Sequence, residues 1–175
     1  MTKKPGKIGI QTTTPKSINE TVLALCKKVD PASSPVYIPC RPVSWAVKNN
    51  CFNDVPKYVK GHEGCKMVHG WTIWEWSDVW VEAEFHAVVW DGEKMVDVMP
   101  HDGEAEIMFL PDMQGKTFTG NVVPNVMVAI SDDPHVLAYM TAANEMNDLR
   151  AKITTERRQP NARELAVFQR AAALQ

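Results

Sequence analysis

The chain lacks the features that would place it in several large classes. No run approaches the roughly 18 consecutive apolar residues needed to span a bilayer, so no membrane partner is expected. The first sixteen residues, MTKKPGKIGIQTTTPK, are basic but hold no apolar stretch. No secretory signal is read there, and a cytoplasmic location is the expectation. There is little charge of either sign in excess: 19 Lys and Arg stand against 21 Asp and Glu, a net of -2. That balance provides no overall pull toward nucleic acid or an anionic surface. The four cysteines, Cys26, Cys40, Cys51 and Cys65, include no CxxC pair. In an unsecreted chain such spacing points to free thiols rather than a disulfide framework.

What is present suits a single domain. The 175 residues are 45% hydrophobic and 23% charged, enough apolar material for a core without disulfides or metal. Residues 1–16 read as a flexible arm, 17–130 as the core and 131–175 as C-terminal helices on the same domain. Ser17, with Glu20 three residues on, predicts a capped helix whose stripe is Val22, Leu23, Leu25 and Val29. Pro31, Pro35, Pro39 and Pro42 predict an extended connection. A short helix is expected over 54–61, capped by Asn53 or Asp54, with Pro56 in its first turn and Gly61 at its end. Strands are expected over 67–76, 79–90, 94–99 and 105–110, with Asp91-Gly92 as a hairpin turn. Helices over 134–152, capped by Asp132 or Asp133, and 161–174, capped by Asn161, close the chain. The expected class is α+β: a helix-borne cysteine on an antiparallel sheet of about four strands, with two C-terminal helices.

Three residues could carry chemistry. Cys51 stands just before the second helix, where unpaired amide N–H groups favour a thiolate, the form that acts as a nucleophile. His86 lies on the face of its strand that also carries Glu82 and Glu84, opposite the apolar set Val81, Ala83, Phe85, Ala87 and Val89. Asp97 interrupts Val96 and Val98, a costly place for a carboxylate without a partner. A two-residue turn at Asp91-Gly92 sets His86 directly opposite Asp97, with Cβ atoms about 5 Å apart. The carboxylate can then hold one ring nitrogen and leave the other for a thiol.

The stretches Phe85-His86-Ala-Val-Val-Trp90 and Asp91-Gly-Glu-Lys-Met-Val-Asp97-Val-Met-Pro100 resemble the His/Asp hairpin of the transglutaminase-like, papain-like superfamily. The order cysteine, histidine, aspartate agrees with it, and arylamine N-acetyltransferases and many bacterial thiol proteases share the arrangement. Cys51-Phe-Asn-Asp-Val55, Gly70-Trp-Thr-Ile-Trp-Glu75 and Glu82-Ala-Glu-Phe-His86 also look like a group of small bacterial and phage proteins. The likeness covers about residues 45–112. It implies Cys51 as nucleophile, His86 as base and Asp97 as orienting acid. No glutamine precedes Cys51 by a few residues, so the oxyanion donors stay open among Asn50, Asn53 and backbone amides.

Other residues carry weaker expectations. Glu84 could tune His86 or meet a basic substrate group. Trp71, Trp74, Trp76, Trp80 and Trp90 could line a substrate groove, Trp71 being the one singled out for binding, or could simply fill the core. Cys40, Cys51, His62, Cys65 and His69 fall within thirty residues and form a rival zinc set, though without a tight CxxC knuckle. The expected function is thiol-dependent acyl transfer on a peptide, protein or small acyl substrate, either hydrolysis or transfer to an amine, with no cofactor. The alternatives are a non-catalytic binding domain with a Trp-rich groove and a zinc-stabilised structural domain. Oligomeric state is left open.

Overall fold

Alternation of apolar and polar residues in the middle of the chain builds one antiparallel sheet. The structure is a computed structural model that describes residues 12–173. Its elements are α1 (Glu20–Val29), β1 (Val36–Pro39), α2 (Cys51–Lys60), β2 (Lys66–Trp76), β3 (Trp80–Trp90), β4 (Met95–Val96), β5 (Glu106–Pro111), β6 (Val126–Ala129), α3 (Pro134–Glu156) and α4 (Ala162–Ala173). The strand order is β1-β5-β2-β3-β4, with β6 paired to β3. The α+β class, the helix-borne cysteine and the two C-terminal helices are as expected. Among the described residues no helix is long and apolar enough to cross a membrane.

The sheet curls almost into a barrel. Its ends meet where Cys40 bridges Asp97 in parallel fashion. There the Asp97 N–H donates to the Pro39 carbonyl at 3.0 Å and Arg41 N–H donates to the Asp97 carbonyl at 2.7 Å. Ile38, Val88, Ile107 and Phe109 fill the inside. On the outer face, Val22 and Leu25 of α1 pack on Ala83, Phe85 and Leu110, while Cys51 and Val55 of α2 pack on Ala87 and Val89. Burying each such side chain is worth about 1.5–3 kcal/mol. Leu25→Ala would cost about 2–5 kcal/mol, because α1 and the sheet cannot close over the void.

Gly70 is placed by this curvature. A Cβ there would overlap the Leu110 carbonyl oxygen and the Phe109 ring. Only a bare backbone lets β5 and the Phe109 side chain approach the rung on which Gly70 faces His86.

Several boundaries differ from the sequence expectation. Asn19, not Ser17, caps α1, its Oδ1 accepting from Val22 N–H at 3.0 Å. Helix α2 begins at Cys51, three residues early, and so puts Pro56 in its second turn rather than its first. The hairpin between β3 and β4 is not a two-residue turn. Asp91 Oδ1 accepts from the N–H groups of Glu93 and Lys94 at 3.0 and 2.9 Å, and Asp91 N–H donates to the Lys94 carbonyl. This aspartate-held loop moves the register by two residues, pairing Val89 with Val96 and Trp90 with Met95. Strand β1 falls within the expected extended connection, and β6 lies where no element is expected. Each is four residues long, and β1 lies between prolines at a sheet margin, where a missing N–H is tolerated.

The expected flexible arm falls mostly on residues 1–11, outside the described residues. Of the remainder, Thr13 pairs with Glu75 at the end of β2, and Pro15 accepts a hydrogen bond from the Tyr37 hydroxyl at 2.8 Å. Helix α3, capped by Asp133, packs through Met140 and Ala143 on Trp80 and Met127. Asn161 and Glu164 cap α4 reciprocally, at 2.9 and 3.0 Å. Arg158 and Arg170 of the basic tail pair with Glu156, Glu164 and Glu145.

Candidate active site

Strand β3 is covered on its second edge only at its ends. Strand β6 pairs with Trp80 to Ala83 and β4 pairs with Val89 and Trp90. Among the described residues, 84–88 therefore have no strand partner on that side, and His86 stands at the centre of this stretch. The first turn of α2 carries Cys51, which is 6% exposed and borders the same cavity as His86.

The end of α2 is unusual. Asn50, at the cap position, makes no side-chain bond to the helix; its Oδ1 instead takes the Asn53 Nδ2 donor at 2.6 Å. The N–H groups of Asn53 and Asp54 both go to the Asn50 carbonyl, at 3.0 Å each. The amides of Cys51 and Phe52 are thus the first-turn donors that the cap leaves unclaimed, and they carry the positive end of the helix.

Asp97 sits where the sheet closes and is 0% exposed. Its Oδ1 accepts from Met99 N–H at 2.8 Å, which fixes the carboxylate plane. Its Oδ2 meets His86 Nε2 at 2.8 Å, the contact expected from the sequence. The expected direct register opposition is replaced by a diagonal one, because the ladder ends at Val96. A shift of two keeps the residue on the same face, so the side chains still meet.

The same Oδ2 also meets Nε2 of His101, at 2.8 Å. Sequence reasoning missed this histidine. The available signal was Asp97-x-x-x-His101, a spacing that a tight turn through Pro100 folds back on itself. With Nε2 of His86 bound to the carboxylate, Nδ1 is the nitrogen left for Cys51, which lines the same cavity.

The charges reinforce each other. Burial works to lower the His86 pKa, but Asp97 and Cys51 together outweigh it and push it up to about 10. Burial works to raise the Asp97 pKa, but His101 and His86 hold it down at about 2. An imidazolium between a carboxylate and a sulfur is the favoured state. Elsewhere, burial alone raises the Cys26 thiol to about 11, and burial followed by the Asp97 charge raises that of Cys40 to about 12.

The cavity holds about 310 Å³ and includes Trp74, Glu82, Glu84, His101 and Glu104 in its walls. Glu84 is there as expected, its Oε2 accepting from Trp74 Nε1 at 2.9 Å. Trp71 is not. It is 2% exposed in the core beside Phe85, and Trp74 takes the place expected for it. Asn50 and Asn53 bond each other, and neither borders the cavity, whereas Asn49 does. The cysteine-rich zinc set is not assembled: His62 stacks on Tyr58 and bonds its carbonyl, and His69 stacks with Phe85. Among the described residues, the ligand atoms that do converge, all within 4.8 Å, are those of His86, Asp97 and His101.

Comparison with family models, with curated proteins and with solved structures finds no match to this chain.

Proposed function

We propose that the protein is a transglutaminase-like thiol enzyme that transfers acyl groups from an amide or ester. The observation that carries this reading is the position of His86, held by a buried carboxylate and lining one cavity with the sulfur at the start of α2, at a stretch of β3 left unpaired on that edge among the described residues. Cys51 gives its proton to His86 Nδ1, and the thiolate attacks the carbonyl carbon. The developing oxyanion lies toward the Cys51 and Phe52 amides, donors already aimed and already positive. His86 then delivers its proton to the leaving nitrogen or oxygen, and a thioester remains on Cys51. Water or an amine, deprotonated by His86, attacks the thioester, releases the acid or new amide, and the thiol is restored. Asp97 holds the ring in one orientation throughout and stabilises the imidazolium at each step in which the ring carries the extra proton.

The test is site-resolved alkylation with iodoacetamide at pH 6, read by mass spectrometry. Cys51 is expected to label well ahead of Cys26 and Cys40, and His86→Ala to abolish the advantage. Labelling of Cys51 no faster than Cys26 would overturn the proposal and favour a binding domain on the same scaffold.

One observation favours a second reading. Two imidazoles and a carboxylate converging on one point are also a ligand set for a divalent transition metal. Metal there would occupy Nε2 of His86, in direct competition with its role as base. Purified protein carrying stoichiometric metal, with a melting temperature that falls on chelation in wild type but not in His101→Ala, would establish that reading instead.

A further inference from the structure

The walls of the cavity say what the substrate carries. Two successive rungs of β2 and β3 line it, Thr72 opposite Glu84 and Trp74 opposite Glu82, and His86 lines it one rung further on. Along β3, at roughly 3.3 Å per residue, Glu84 lies about 7 Å and Glu82 about 13 Å from His86. Glu104 and Asp102 border the same space. Lys48 is the one lysine or arginine among its lining residues, and it is paired with Asp102. Glu82, Glu84 and Glu104 therefore face the cavity with no cation assigned to them among the described residues.

A second, independent observation points to an occupant. The Thr72 hydroxyl is in a residue 1% exposed, borders the cavity and has no hydrogen-bond partner. One oxygen of Glu104 is likewise buried without a partner. Buried polar groups are rarely left unmatched, so the hydroxyl lacks a polar partner and the ionised Glu104 oxygen, which can only accept, lacks a donor. Burial, and then the charge of Glu84, push the Glu82 carboxyl above its usual range, which is what two neighbouring carboxylates without a counter-charge do. Trp74 adds an aromatic wall, fixed by its bond to Glu84, against which a cation can rest.

We infer that the cavity selects substrates bearing an ammonium or guanidinium group on the acyl portion, seated against Glu84, Glu82, Glu104 and the Thr72 hydroxyl. This rests on Cys51 being the nucleophile. Neutral or acidic acyl groups would leave these half-buried carboxylates facing one another without a counter-charge.

Three methanethiosulfonate reagents test it, each transferring a different thioalkyl group to Cys51: trimethylammonioethyl, sulfonatoethyl and methyl. Rates are normalised to those of mercaptoethanol. The cationic reagent is expected to outpace the anionic one by about ten to a thousandfold, as fields focused in a cleft do. The preference should shrink with added salt in the wild type, and also in Glu82→Gln/Glu84→Gln. Acetyl-arginine amide, a cation carried on an acyl portion, is expected to protect Cys51 from the methyl reagent better than spermidine does; protection by spermidine alone would overturn the assignment of the cation to the acyl portion. Equal normalised rates, with His86-dependent modification by the methyl reagent intact, overturn the inference and leave the thiol enzyme standing. Loss of His86 dependence with the methyl reagent overturns both.

Discussion

His86 and Asp97 meet at 2.8 Å although no ladder hydrogen bond joins their strands at that rung. The contact is made by side chains alone, so its loss can be separated from loss of the sheet. Asp97→Asn keeps the shape and the bond from Met99 N–H but removes the charge that holds His86 protonated. Cys51 alkylation at pH 6 is expected to fall by at least about tenfold, in the direction of the large losses seen when an orienting acid becomes an amide. Asp97→Ala should also destabilise the protein by about 3–5 kcal/mol, because two imidazoles and an amide lose their buried partner. Iodoacetamide kinetics and urea unfolding measure the two effects. A normal alkylation rate in Asp97→Asn would remove Asp97 from the mechanism.

The pH dependence of stability follows from opposite shifts. The folded-state pKa of His86 is raised to about 10, so its contribution is complete below the ordinary imidazole range and disappears as pH climbs toward 10. That of Asp97 is lowered to about 2, so its contribution is complete above the ordinary carboxylate range and disappears as pH falls through that value. Urea midpoints should therefore be highest between about pH 4 and 6.5, the interval bounded by the two unfolded-state values. In His86→Ala the decline on the alkaline side should flatten. An alkaline limb of the same slope in that variant would show that other groups set it.

Much of this was legible in the residues and some was not, for physical reasons. Strict alternation in β3 identified its two faces, and a face assignment survives a two-residue register error. The register itself depended on whether Asp91 turned the chain in two residues or capped a longer loop, which its side-chain bonds to Glu93 and Lys94 decide. Strands β1 and β6 have too few residues for a period to show; each exists because a partner strand, β5 or β3, offers it a ladder. His101 follows a proline outside any regular element, so no periodicity pointed to it. Trp71 and Trp74 are three apart in one strand and hence on opposite faces. Which tryptophan reached the cavity was decided by the face shared with Glu84 and His86, a pattern present in the sequence and not applied to β2.

Gly70 tests the curvature that opens the site. Gly70→Ala forces its methyl into the Leu110 carbonyl and the Phe109 ring, so β5 must move outward. Overpacking of this kind costs about 1–3 kcal/mol, and the backbone partner makes the upper end the expectation. Since Gly70 faces His86 across the ladder, the variant should also slow Cys51 alkylation, whereas Leu25→Ala, on the outer face, should lower the melting temperature without doing so. Calorimetry and alkylation on both variants check the distinction. Unchanged stability in Gly70→Ala would mean that the sheet is looser at this rung than its contacts imply.

His101 shares the Asp97 oxygen with His86, and its action on the chemistry runs through that carboxylate, which makes it a positioning residue. It helps to keep Asp97 ionised, since its hydrogen bond is the largest of the influences lowering that pKa. In His101→Ala, Asp97 should hold its proton to higher pH, and His86 would lose its ionic partner sooner on acidification. The acid limb of the Cys51 alkylation profile should move upward in pH, while the rate near neutrality changes far less than in Asp97→Asn. His101→Gln, which can present an amide N–H to the same oxygen, should restore part of the shift. A purely structural role would lower the rate evenly at every pH and leave the limb in place. The two outcomes are separated by one set of rate measurements from pH 3 to 8.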